Sequence, residues 1–403
     1  MNLMTYLDRV KSRLCDLSGC SYEDIRIVRA PLRISPLGAH VDHQDGLVTG
    51  MTLDRAIFLA FVPRSDRRVV VESLNFPGRV DFALEAIPPS VPRDWGNYAR
   101  GAAKALMSAY DLHRGIDAVV AGSMPIGGLS SSAAVGIAYL LALETANDLH
   151  MTPEENIRLD RFIENRYLGL RNGVLDQSMI LLSERNYLTY LDCQSMAVEK
   201  VPTSRAQDPF EILVVYSGVS QSLTGTDYNN RVAECQAAAR QLLLLAGEPV
   251  PEETRLRMVD PEIYQVYGDR LKAPLDRRAR HFFTEIARVQ HGVQAWRAGD
   301  IATVGSLIKA SGASSVYNYE SGCPQLTTLY EILSECPWVY GARFSGGGFR
   351  GSCIGLSHPD FRAEIEAFVD ERYPDLHPDI RGQYSVHFCR SDGPARLLNG
   401  KHP

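Results

Sequence analysis

The junction Pro125-Ile-Gly-Gly-Leu-Ser-Ser-Ser-Ala-Ala134 constrains the fold more than any other stretch of this chain. A run of buried-strand character, GIDAVVAGSM from Gly115, ends there in two glycines, and three serines open a long apolar helix. Glycine lets the backbone approach a ligand closely and turns successive N–H groups into one concavity. Serine hydroxyls beside the positive end of a helix dipole complete a phosphate cradle, with one hydroxyl available to Mg2+. The loop is not a Walker A sequence, since GxxxxGK[ST] is absent, nor is it the GxGxxG of dinucleotide folds. The same residues also suit an N-cap leading a small-residue helix onto a sheet. The loop alone leaves both readings open.

The 403 residues, 45% hydrophobic and 22% charged, allow two or three domains with their own cores. This is ordinary globular usage and argues against a disordered or fibrous chain. Net charge is −6 and no block of lysine or arginine occurs, so nucleic acid is not an expected partner. The eight cysteines form no CxxC pair and no zinc-type cluster with histidine, so reduced thiols and a cytoplasmic location are expected. The first residues alternate charge with apolar side chains, unlike a signal peptide. The apolar stretch Ala133–Leu143 is about half of a membrane span, so no membrane is expected.

Short β-rich runs from Ile25, Ala56, Arg68 and Arg79 suit a sheet with one solvated face. Helices are predicted over 95–110 and 153–167, the second leading into a loop LGLRNGVLDQS. Beyond a strand at FEILVVYSG, amphipathic helices dominate around 228–245 and 277–297. An αβ stretch closes the chain: a helix near 325–333, strands at VYGARFSGGG and SCIGLSHP, a helix over 360–373 and a strand YSVHFCR. Two α+β domains, 1–200 and 201–403, are the economical division.

Two other segments carry chemistry-bearing residues. RAPLRISPLGAHVDHQDG, from Arg29, gathers Arg33, His40, Asp42, His43 and Asp45 between strands, and GARFSGGGFRGSCIGL, from Gly341, sets three glycines after a strand. Each alone is weak. Together with the glycine-serine loop, in this order and spacing, they resemble the three motifs of the GHMP small-molecule kinases, most nearly the galactokinase branch. Arg29 to Asp42 is similar to APGRVNLIGEHTD, and Glu164-Asn165 with Gly173-Val-Leu-Asp-Gln177 is similar to EN…GIMDQ. Trp95-Gly-Asn-Tyr98, Tyr228-Asn-Asn-Arg231 and Asn318 to Leu326 match further blocks.

The resemblance implies a two-domain α+β fold: an N-terminal domain of the ribosomal S5 domain 2-like type and a ferredoxin-like C-terminal domain. It implies a cradle for ATP at Gly127, Gly128, Leu129, Ser130, Ser131 and Ser132, with Mg2+ held by Ser132 and Glu164. It implies a catalytic Asp176 beside Arg33, and a sugar site containing Ala39, His40, Asp42, Tyr228 and Gly347. An arginine beside Asp176 would favour the carboxylate that accepts a hydroxyl proton. Without the resemblance, Asp176 reads as a loop aspartate and Glu164 as the polar face of a helix. The implied partners are a small sugar and ATP, for a monomer or homodimer.

Three departures stand out. The phosphate loop is one residue shorter than PxGxGLSSSA, and His43 replaces the tyrosine of HTDY. Ala39 replaces the glutamate of GEHTD, which in galactokinases accepts a hydrogen bond from the sugar's C6 hydroxyl. A sugar oxidised at C6 brings a carboxylate there, and two like charges about 4 Å apart repel by ~4 kcal/mol at an effective dielectric near 20. That is roughly a thousandfold in affinity. Losing the glutamate therefore suits galacturonic acid, and the motifs resemble those of plant galacturonokinases. A galactokinase, or a sugar- and ATP-binding regulator without catalysis, are the alternatives. His40, His43 and Arg350 are the candidate cations for the uronate carboxylate.

Overall fold

The computed structural model describes residues 3–124, 127–204, 206–219 and 227–398. After helix α1 (Leu3–Ser18), strands β1 (Arg26–Ile34) and β2 (Leu47–Pro63) pair antiparallel, with Val28 opposite Leu59. β3 (Arg68–Ser73), β4 (Arg79–Ala83) and, after helix α2 (Asn97–Met107), β5 (Ile116–Gly122) extend the sheet. β5 lies parallel to β3 and antiparallel to β2. The long helix α3 (Ser131–Ala146) follows, then α4 (Pro153–Arg161), a π-helical turn over Phe162–Tyr167, and α5 (Leu175–Leu182). The hairpin β6 (Tyr187–Asp192) and β7 (Val198–Pro202) hangs from the start of β2.

Alternation along β2 shows why this sheet lies inside the molecule. Ile57, Leu59 and Phe61 face a core shared with α2 and α3, while Ala56, Phe58, Ala60 and Val62 face Val10 and Leu14 of α1. The solvated face expected from the sequence is therefore covered on β1 and β2, because α1 folds back across it; only β4 keeps an exposed alternation. β2 also begins nine residues before the strand read from Ala56, through LVTGMTLDR, whose polar residues mask its strand character.

The second half begins with β8 (Glu211–Tyr216), then helices α6 (Tyr228–Ala246), α7 (Pro261–Tyr267), α8 (Leu275–Ala298), α9 (Ile301–Ser314) and α10 (Pro324–Glu335). It ends with β9 (Val339–Phe344), β10 (Ser352–Ser357), α11 (Arg362–Asp370), α12 (Tyr373–Leu376) and β11 (Ser385–Cys389). The four strands form one antiparallel sheet in the order β11-β8-β10-β9. Numbered within this sheet, that order is 4-1-3-2, the ferredoxin-like arrangement, with five helices inserted in its first crossover.

The chain then returns. β12 (Ser391–Asp392) pairs with β2 and β13 (Arg396–Leu398) pairs with β1, adding the last described residues to the first sheet. A single apolar cluster also joins Val28, Ile57 and Leu140 to Ile212, Trp296 and Ile354. The two halves share a core, and the glycine loops meet where they join. No helix among the described residues is long and apolar enough to cross a membrane.

Candidate active site

Two glycine loops press backbone against backbone. A Cβ on Gly127 would lie 2.9 Å from the Gly351 Cα, and one on Gly128 would lie 2.8 Å from the Ser352 nitrogen. Gly128, Gly346, Gly348 and Gly351 have φ of +76°, +66°, +77° and +96°, which side-chain-bearing residues rarely adopt. The Ser352 hydroxyl donates to the Gly127 carbonyl (3.0 Å), and Ser345 N–H to the Ser352 carbonyl (2.9 Å). Ser130 takes a left-handed φ of 57° as the residue before α3, and its buried hydroxyl has no hydrogen-bond partner among the described residues. Ser131 and Ser132 occupy the first turn beside it. Leu129 turns its side chain into the core, and its carbonyl accepts from Arg33 N–H at 3.2 Å. Pro125 and Ile126 lie outside the described residues. The loops border a cleft of about 860 Å3, lined by Gly128, Ser130, Ser131, Ser132, Asp176, Gly346, Gly347, Arg350, Trp95 and Tyr98.

Arg33 follows a bulge in β1, where the register shifts between Pro31 and Arg33. A bulge removes the ladder bond that proline could not supply and re-aims the next side chain. The buried guanidinium donates to one oxygen of Asp176 through Nη2 (2.6 Å) and Nε (2.9 Å), and through Nη1 to the Ser345 hydroxyl (3.4 Å). Asp176 is not in a loop: it sits in the first turn of α5, so its carboxylate leaves a rigid element facing the helix's positive end. Asp42 lies beneath it, accepting from Leu175 N–H (3.4 Å); burial and the Asp176 charge push Asp42 up to about 6. Gly173 permits this approach, since a Cβ there would come within 2.6 Å of the Asp42 carboxylate.

A second carboxylate group stands behind the serines. Glu164, on the π-helical turn, is pushed up to about 7 by burial and by Asp176, against hydrogen bonds from Asn172 and Ser132. Asp160, one turn earlier, is fully buried, neither of its oxygens has a hydrogen-bond partner among the described residues, and burial raises it far above the carboxylate range. Such crowding of hard oxygen donors around a serine hydroxyl suits a small divalent cation. Among the described residues no three acidic, histidine or cysteine groups are placed to hold a metal unaided, so a cation here would complete its shell with other oxygens. Asp160 belongs to none of the motifs in the sequence, although its i, i+4 spacing from Glu164 on one helix face is a usable signal.

The wall formed by the first motif is closed from behind. Ala39 is 1% exposed. Its N–H and that of Gly38 donate to Oε1 of Glu285 on α8 (3.0 and 2.8 Å), and His281 donates to its carbonyl (2.7 Å). Glu285 is wholly buried, yet Arg288, His281 and Arg343 hold it down at about 2. His40 stacks flat on Tyr319 at 4.1 Å and meets the Ser321 hydroxyl at 3.2 Å. The Gln44 amide donates to Nδ1 of His43 (2.9 Å), so Nε2 carries the proton toward the Tyr319 hydroxyl (3.0 Å). Burial depresses both rings, His43 to about 3, so neither is a cation near neutral pH. Tyr228 begins α6 with its ring 6.2 Å from His43, and burial with the Asp42, Asp176 and Glu164 charges raises its phenol well above the usual range. Ala39, His40, Asp42 and Tyr228 thus gather on the far side of Asp176 and do not line the cleft bordered by the glycine loops. Arg350 does.

Comparison with known proteins gives this arrangement a family. The GHMP kinases N terminal domain matches residues 97–184, and the GHMP kinases C terminal domain matches residues 293–375. Galacturonokinase of Arabidopsis thaliana is 44% identical, over 97% of this chain and 98% of its own. Galactokinase of Chloroflexus aurantiacus is 34% identical over 85% of this chain and 86% of its own, and that of Roseiflexus 32% over 94% of each. The galactokinase of Lactococcus lactis complexed with galactose superposes with a TM-score of 0.88 at 26% identity, covering 98% of this chain and all of that one. The mevalonate kinase of Methanococcus jannaschii shares the fold at a TM-score of 0.64 and 14% identity, over 91% of this chain and 98% of its own. With a full-length relative at 44% identity and both halves matched, the chain belongs to the GHMP kinases, in the group that holds the galactokinases and galacturonokinase.

Proposed function

We propose that this protein is an ATP-dependent sugar 1-kinase that converts D-galacturonic acid to galacturonate 1-phosphate. The observation that carries the substrate is the full-length likeness to a galacturonokinase at 44%, against 32–34% for galactokinases. Ala39 agrees with it. The position offers no carboxylate to a uronate, and the nearest buried one, Glu285, is spent on two backbone N–H groups and Arg288.

In this reading the triphosphate lies along Gly127, Gly128 and Ser130–Ser132, whose N–H and hydroxyl groups replace its water. Ser132 and Glu164 would hold the Mg2+ of Mg-ATP, which would supply charge neutralisation on the phosphoryl oxygens. Asp42, His40, Tyr228 and the Gly347 backbone orient the sugar so that its anomeric hydroxyl points at the γ-phosphorus. Asp176 accepts the hydroxyl proton as that oxygen bonds to phosphorus, and the bond to the β-phosphate oxygen breaks to release ADP. Arg33 fixes Asp176 and faces the transferring group.

A coupled ADP-release assay across a sugar panel at fixed Mg-ATP tests the proposal. Galacturonate should give the highest kcat/KM. A preference for galactose would make the enzyme a galactokinase with one contact missing. ATP and sugar binding with no ADP formed on any sugar would leave a sensor.

A further inference from the structure

The β9–β10 connection carries one arginine that no carboxylate pairs with among the described residues. Arg350 stands in the glycine loop, between Gly346, Gly348 and Gly351, and lines the cleft with Ser131, Ser132 and Asp176. The loop is held at its C-terminal end, one residue beyond Arg350: Gly351 N–H donates to the Val219 carbonyl (3.2 Å), and Ser217 N–H to the Gly351 carbonyl (2.8 Å). The side chain therefore leaves a fixed backbone, pressed against Gly127 and Gly128.

Arg350 is partly buried, and its Nε is shielded from solvent with no hydrogen-bond partner among the described residues. The ion pairs formed among the described residues do not include it, whereas Arg33, buried behind Asp176, is spent on Asp176 and Ser345. The remaining cation bordering the cleft is the exposed Arg93, and no lysine lines it. A desolvated guanidinium without an anion is costly to keep. Its planar fork fits phosphate oxygens two at a time.

We propose that Arg350 is a phosphate-contacting residue of the nucleotide site, donating from the β9–β10 loop to the β- and γ-phosphoryl oxygens. The inference rests on the reading of this cleft as the ATP site. It places Arg350 away from the sugar wall, and so not on the uronate carboxylate.

The test uses the full-length enzyme and the variants Arg350→Ala, Arg350→Met and Arg350→Lys. Mg-ATP affinity is read by calorimetric titration, KM for each substrate by steady-state kinetics, and folding by melting temperature. Losing a charge-assisted contact should raise the Kd and KM for ATP roughly 10- to 100-fold in the alanine and methionine variants. The lysine variant should recover part of the loss. Melting temperature and the KM for galacturonate should stay near wild type. ATP affinity within twofold of wild type in the alanine variant overturns the proposal, as does a rise confined to the KM for galacturonate. A loss shared by both substrates and accompanied by a lowered melting temperature, with no recovery by lysine, makes Arg350 structural and also overturns it. The wider reading fails separately: wild-type enzyme would then bind Mg-ATP and release no ADP on any sugar.

Discussion

Arg33 places two of its donors on a single oxygen of Asp176, and that geometry decides what substitution there should do. Asp176→Asn keeps the volume and removes both the charge and the proton acceptor. Turnover should fall by ~10²–10⁴-fold, the range for general-base catalysis, while ATP and galacturonate still bind. Rapid-quench measurement of a single turnover checks this. A loss below about tenfold would assign Asp176 to positioning, since a loose phosphoryl transition state needs little deprotonation. The adjacency of Arg33 and Asp176 was foreseeable from the motifs alone. What surrounds Ala39 was not. Glu285 and His281 reach it from α8, some 240 residues away in sequence, and nothing local in PLGAHVD signals a carboxylate behind its amides. The neutrality of His40 and His43 was equally hidden, because it follows from burial by Tyr319 and its neighbours.

Helix α3 carries the serines at one end and a buried acid near the other. Glu144 is 4% exposed between α3 and α4, one oxygen unpartnered and the other 3.4 Å from Asn156. Burial pushes it up to about 7 from an ordinary 4.5. The folded state therefore keeps a proton that the unfolded chain releases above about pH 4.5. This stability is fully present below that value and is lost as pH rises to about 7. Glu144→Gln removes the dependence, and its gain at pH 8 should reach up to about 3 kcal/mol. Melting temperatures of wild type and variant at pH 5 and pH 8 decide it: the variant's advantage should grow with pH, and an equal advantage at both values refutes the assignment. Elements with a clean pattern, such as RVVVES for β3 and the run from Tyr228 for α6, were legible to within a residue or two. The sequence of α5 reads as loop because Gly173 and Asn172 precede it and its helical signal spans only two turns. β6 and β7 escaped because Asn, Asp and Gln punctuate the segment more loudly than its alternating Leu and Tyr.

At the scale of the whole molecule, the expected division after residue 200 cuts through β7, and the chain's last described strands cross back over it. No sequence pattern announced this: β12 has two residues and β13 three, too short for any periodicity. The return is fixed by charge. Asp392 pairs with Arg29 of β1 at 2.6 Å, with both side chains buried, and with Arg185 at 2.8 Å. The Thr52 hydroxyl also donates to the Asp392 carbonyl, at 2.5 Å. Removing one partner of a buried pair strands the other, at about 3–5 kcal/mol. Asp392→Ala should therefore lower the melting temperature of the entire protein and leave kcat at 25 °C within twofold, since no part of this pair borders the cleft. Because the two halves share one core, the loss should appear as a single shifted transition. Arg29→Met combined with Asp392→Ala should recover much of the stability, as an apolar replacement no longer buries an unpaired charge. Scanning calorimetry of the three proteins settles the point. Two separated transitions in Asp392→Ala would show that the returning strands hold otherwise independent domains together, and an unshifted single transition would show that the pair contributes nothing.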